Sequence, residues 1–124
     1  MKIYKSKAFA KWANKSEISD RLLIQATSEI IDGMVEANLG GSLYKKRISV
    51  NHKGKSGGVR ILLAFKVKTA IFFIFGFSKN KLSNIDPTEL QALKNYAKLL
   101  LKYSNTEITM AIKNGVLIEV NLNG

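Results

Sequence analysis

The chain has 124 residues, 46% of them hydrophobic, with one proline and nine glycines; this suits one globular domain and excludes fibrous, low-complexity and disordered classes. No cysteine and a single histidine, His52, remove disulfides, thiol nucleophiles and Cys- or His-built metal sites from the candidates, so neither cofactor nor metal is expected. Twenty Lys and Arg against nine Asp and Glu give a net charge of +11, and between Glu36 and Asp86 there is no acidic residue at all.

From the N-terminus, lysines interrupt every apolar stretch that could act as a signal peptide, so export is not expected. After a short strand at Lys2 to Lys5, Ser6 caps a helix that spaces Phe9, Trp12 and Ala13 along one face. A second, longer helix is predicted from the cap Ser19 to about Val35. Its apolar stripe is Leu22, Leu23, Ala26, Ile30 and Met34, and its polar positions include Glu29, Asp32 and Glu36. The two form a helical hairpin, closed by the glycines of Asn38-Leu39-Gly40-Gly41.

Three strands follow, from Leu43 to Val50, Val59 to Val67 and Ala70 to Phe77. The last is the longest apolar stretch of the chain and far shorter than the roughly twenty residues of a membrane-spanning helix. Lys68 and Thr69 connect the second and third strands as an antiparallel hairpin, while the basic, glycine-containing segment 51–58 links the first and second. Asp86-Pro87-Thr88-Glu89 is a strong helix start whose helix points Leu90, Leu93, Ala97, Leu100 and Leu101 inward and stops near Tyr103. Ser104 to Glu107 repeats the capping pattern for a shorter helix ended by Asn114-Gly115. Val116 to Val120 makes a final extended segment. The expected architecture is α+β: an antiparallel sheet flanked by the N-terminal helical hairpin and the C-terminal helices. One domain is expected over residues 1–120, with 121–124 a disordered tail.

The basic excess has a geometry. Period-two alternation puts Lys45, Arg47 and Ser49 on one face of their strand and Tyr44, Lys46 and Ile48 on the other. In an antiparallel meander Arg60, Lys79 and the segment with Lys53 and Lys55 converge at one end of the sheet, where Gly54, Gly57 and Gly58 permit close approach of backbone amides to a phosphate. This is the footprint of a polyanion-binding surface, the plain alternative being a solubilising charge excess. Tyr44 suits either base stacking or sheet packing, and His52 either proton transfer or an exposed loop position. Gly54-Lys55-Ser56 lacks the upstream glycine and following helix of a nucleotide-binding loop. No carboxylate of the sequence falls in the basic stretch to act as a base.

Three segments in order, Gly40-Gly41-Ser42-Leu43-Tyr44-Lys45-Lys46-Arg47, Gly54-Lys55-Ser56-Gly57-Gly58-Val59-Arg60 and Phe75-Gly76-Phe77-Ser78-Lys79-Asn80, resemble the RelE/HigB-type toxins of bacterial type II toxin-antitoxin systems. The resemblance extends through the helix opening at Ile85 to Leu93 and the terminal Gly115 to Val120. It implies a ribosome-dependent endoribonuclease that cuts messenger RNA in the decoding site and is silenced by a cognate antitoxin, so the implied partners are the antitoxin, the ribosome and mRNA, with no membrane. It also implies that Arg47 and Arg60 hold the phosphate and Lys79 sits at the scissile position. Lys45, Lys46, Lys53 and Lys55 are then RNA-binding, joined by Tyr44, His52 and the motif residue Asn80, with Lys53 or Lys55 a candidate for proton transfer.

Such residues suit metal-independent attack of the ribose 2'-OH on its adjacent phosphate, because planar guanidinium donors match the oxygens of the pentacoordinate dianion. A lysine serves as base only where neighbouring charge lowers its pKa. The cytoplasm is the expected location. The competing functional readings are a ParE-like toxin acting on gyrase and a non-catalytic RNA-binding module.

Overall fold

The computed structural model describes residues 1–49, 58–78 and 85–122. Strand β1 (Lys2–Ser6) runs directly into α1 (Lys7–Lys15), because the Ser6 hydroxyl accepts from the Phe9 amide and turns the chain into the helix. Helix α2 (Asp20–Ile31) starts at Ser19, whose side chain accepts from Leu22. It ends earlier than the apolar stripe predicts. Gly33 adopts φ +87, its amide bonds back to Ile30 and the Met34 amide to Glu29, which is a Schellman stop. Met34 is consequently half exposed instead of joining the core.

That early stop frees a short strand the sequence reading did not contain, β2 (Ala37–Gly40), which pairs antiparallel with β3 (Leu43–Ile48). Asn38 and Gly40 therefore lie in a hairpin strand and not at a helix terminus, and Gly41 and Ser42, at φ +60 and +68, make the turn into β3. Strands β4 (Val59–Lys66) and β5 (Ala70–Ser78) form the expected hairpin. Its loop has three residues rather than two, since Lys66 pairs with Ala70 and Lys68 takes the left-handed position. Helix α3 (Pro87–Lys102) starts at the Asp86 cap, and α4 (Asn105–Lys113) carries the complete capping box of Ser104 and Glu107. The final segment is β6 (Leu117–Glu119).

The fold is α+β, a six-stranded open sheet in the order β2-β3-β4-β5-β1-β6 with helices on both faces. It is antiparallel except at one seam: β1 lies parallel to β5, so the first strand is inserted between the third strand of the meander and the last strand of the chain. One face packs Phe9, Ala13, Leu23, Ala26 and Ile30 of the helical hairpin on Ile48, Ile61, Leu63 and Phe73. The other packs Ala97, Leu100 and Ala111 of α3 and α4 on Leu43, Leu62, Ala64 and Phe72. Two-sided coverage explains why β4 and β5 read as continuous apolar runs. Where β5 extends beyond β1, the Trp12 ring fills the space a side chain at Gly76 would need.

Candidate functional site

At the far ends of β3 and β4 the apolar rows give way to charge. Arg47 and Arg60 are direct cross-strand partners. Their neighbours Ile48 and Val59 face the α1–α2 core, so the two arginines project from the opposite face, the one carrying α3 and α4. Phe77 pairs with Arg60 from β5 on that same face and is buried. Like charges placed directly opposite one another destabilise a sheet, so this pair needs a compensating partner.

Glu36 supplies it. The chain turns from α2 into β2 so that the Glu36 amide donates to the Lys45 carbonyl at 2.7 Å and the side chain reaches across the strands. Arg60 Nε donates to the Glu36 Oε1 at 3.2 Å, Oε2 makes an ion-pair contact with the same nitrogen at 2.7 Å, and Lys45 Nζ lies 3.4 Å from Oε1. Burial pushes the Glu36 carboxyl up, but the hydrogen bonds and charges of Arg60 and Lys45 outweigh it and hold the group below the ordinary glutamate value.

Arg60 itself is only 9% exposed, and one terminal nitrogen, Nη1, is buried with no hydrogen-bond partner among the described residues. A buried, unpaired guanidinium nitrogen is costly, and its satisfaction by an anionic oxygen is the ordinary way to relieve it. Both guanidinium groups press on Gly58: a Cβ there would stand 3.3 Å from Arg47 Nε, 3.4 Å from the Ile48 carbonyl oxygen and 3.7 Å from Arg60 Nη1, so the absent side chain is what lets them lie this close to the backbone. Arg47 is exposed, and a shallow groove of about 390 Å³ is lined by Val35, Glu36, Arg47 and Arg60 among others. Two arginines offering planar donors on one face can take a phosphate through several oxygens at once.

The remaining sequence candidates divide. Lys45 belongs to the same face through its contact with Glu36. Lys46 lines the same groove, but its ammonium is turned toward α2: it is 8% exposed and ion-pairs with Glu29 at 2.8 Å. Tyr44 also turns to that side and packs against the helical-hairpin core. His52, Lys53, Lys55, Lys79 and Asn80 lie outside the described residues. The chain reaches Ser78 paired with Val59, beside Arg60.

Glu36 is the residue the sequence reading missed, and the basic face does hold a carboxylate. Treating Gly33 as the helix stop would have found it, because the chain then reverses and pairs residues 36–40 with the Lys45 strand. An open, helix-covered α+β sheet with two arginines paired across neighbouring strands defines a small basic α+β protein. A family model describing the RelE toxin of the RelE/RelB toxin-antitoxin system matches residues 1–120, and the chain belongs to that family. It is therefore the toxin member of such a system, with an antitoxin as partner. A search of curated proteins gives no significant match. Among the described residues no helix is long and apolar enough to cross a membrane.

Proposed function

We propose that the toxin is a ribosome-dependent endoribonuclease that cuts messenger RNA by attack of a ribose 2'-OH on the adjacent phosphate. The observation that carries this reading is the pairing of Arg47 and Arg60 across β3 and β4 on one face of the sheet, with Arg60 Nη1 buried and without a hydrogen-bond partner among the described residues. In the reaction the 2'-oxygen bonds to phosphorus and gives up its proton, the bond from phosphorus to the 5'-oxygen breaks, and that oxygen takes a proton. The products are a 2',3'-cyclic phosphate and a 5'-OH. Negative charge grows on the non-bridging oxygens as the pentacoordinate state forms, and two paired guanidinium groups stabilise that state more than the ground state.

Lys79 is assigned to the scissile position by its place in the Phe75-Gly76-Phe77-Ser78-Lys79-Asn80 motif, and Lys45, Lys53 and Lys55 to the RNA backbone. His52, Lys53 or Lys55 is the candidate proton carrier, and Asn80 is included through the motif it shares with Lys79. A chain that supplies charge more readily than a strong base gains from a ribosome that holds its RNA for in-line attack. Messenger RNA is accordingly its substrate, the ribosome its partner, and the cytoplasm its place of action.

Primer extension on the same transcript with and without a functional start codon tests the reading. Cuts within the translated copy alone, ending in 5'-OH, are expected; equal cutting of both copies, or none, overturns it. Arg60→Ala should reduce cutting about 10²–10³-fold, the range for removing one charge-stabilising donor.

A further inference from the structure

A carboxylate beside the place where a phosphate must sit weakens anion binding by simple Coulomb repulsion. Glu36 nevertheless lies there, and its geometry says what it does instead. It engages Arg60 through Nε, which donates to Oε1 at 3.2 Å and lies 2.7 Å from Oε2, while Lys45 Nζ stands 3.4 Å from Oε1. A guanidinium is planar, so fixing the direction of Nε–H also fixes where the terminal donors point. Nη1 is left buried and without a hydrogen-bond partner among the described residues, on the face Arg60 shares with Arg47.

We propose that Glu36 is a positioning residue, which clamps the Arg60 guanidinium by its Nε edge so that Nη1 is already aimed at a phosphoryl oxygen before RNA arrives. The proposal rests on the endoribonuclease reading for its effect on rate, but the clamp itself is a property of the protein alone. Its signature is a separation of rate from affinity. Without the clamp, Arg60 searches several rotamers and meets the transition state in few of them, whereas the ground-state complex loses an unfavourable charge and keeps its other cations.

The experiment is single-turnover cutting on programmed ribosomes by the wild type, Glu36→Ala, Glu36→Gln and Glu36→Asp, with binding of a non-cleavable RNA measured in parallel. Glu36→Ala is expected to cut about 100-fold more slowly while binding RNA as tightly as the wild type or tighter. Glu36→Gln, whose amide oxygen still accepts from Nε, recovers most of the rate. Glu36→Asp keeps the charge but withdraws the oxygens by one methylene and stays slow. If Gln is as slow as Ala while Asp is fast, Glu36 acts through its charge or by taking a proton, and the proposal falls. It falls equally if Ala cuts at the wild-type rate. Where Glu36→Ala does not fold, the Gln and Asp variants decide alone.

A wild type that cuts nothing would sink the endoribonuclease reading and leave the clamp to a second readout, the exchange rate of the Arg60 Nε proton measured by NMR. Slow exchange in the wild type and Glu36→Gln, with fast exchange in Glu36→Asp, supports the clamp. Equally fast exchange in all three overturns it.

Discussion

Arg47 and Arg60 occupy facing positions on β3 and β4, where their mutual repulsion works against the fold, and Glu36 offsets it on one side only. An anion that bridges them should therefore stabilise the folded chain. Inorganic phosphate is expected to raise the melting temperature of the wild type, by an amount equivalent to about 2.7 kcal/mol at one hundred times its Kd, and to do little for Arg60→Ala; differential scanning fluorimetry measures both. Acid should have the opposite effect. Lys46, chiefly by its hydrogen bond, holds Glu29 below 4.5, and Glu36 is likewise depressed. A carboxylate whose folded pKa is lowered contributes stability that is complete above the unfolded value and is lost as pH falls through the folded one. Thermal melts taken from about pH 6 to about pH 3 should thus show stability falling below 4.5, with a shallower fall in Glu29→Gln. The two arginines were legible from alternation along their strands. Glu36 was not, because its role depends on a chain reversal that brings residues 36 and 60 together.

Elements whose limits are written by local chemistry were the readable ones. Ser6, Ser19, Asp86 and Ser104 each accept a hydrogen bond from the amide three residues on, and each starts a helix where the sequence indicates. The apolar runs of β4 and β5 likewise announce strands covered on both faces. β2 escaped because four residues, Ala-Asn-Leu-Gly, carry little strand preference, and only pairing with β3 makes them extended. The contact between α1 and β5 is of the same non-local kind. Gly76 sits under the Trp12 ring, so Gly76→Ala should destabilise the protein by about 2 kcal/mol or more in urea denaturation. In a Trp12→Ala background the same alanine should cost much less, giving a clear coupling energy in the double-mutant cycle.

For the whole molecule the governing fact is where β1 goes. The α+β class, the helices on each side and the meander could be inferred from the order of elements, but a parallel seam between residues 2–5 and 70–73 leaves no local mark in the sequence. The opposite side of β1 is completed by β6, with Leu117 beside Ser6 and the Val120 amide bonded to the Ile3 carbonyl at 2.9 Å. Ending the chain at Val116 should leave β1 as an unprotected edge. Pulse proteolysis is expected to degrade that truncated form in denaturant concentrations the 124-residue chain withstands. The same topology bears on how the toxin comes into being. On a ribosome β6 emerges after the other five strands of the sheet, so the side of β1 that it covers stays open until residues 117–119 have been made, and a nascent chain is exposed to mispairing there for as long as they are missing.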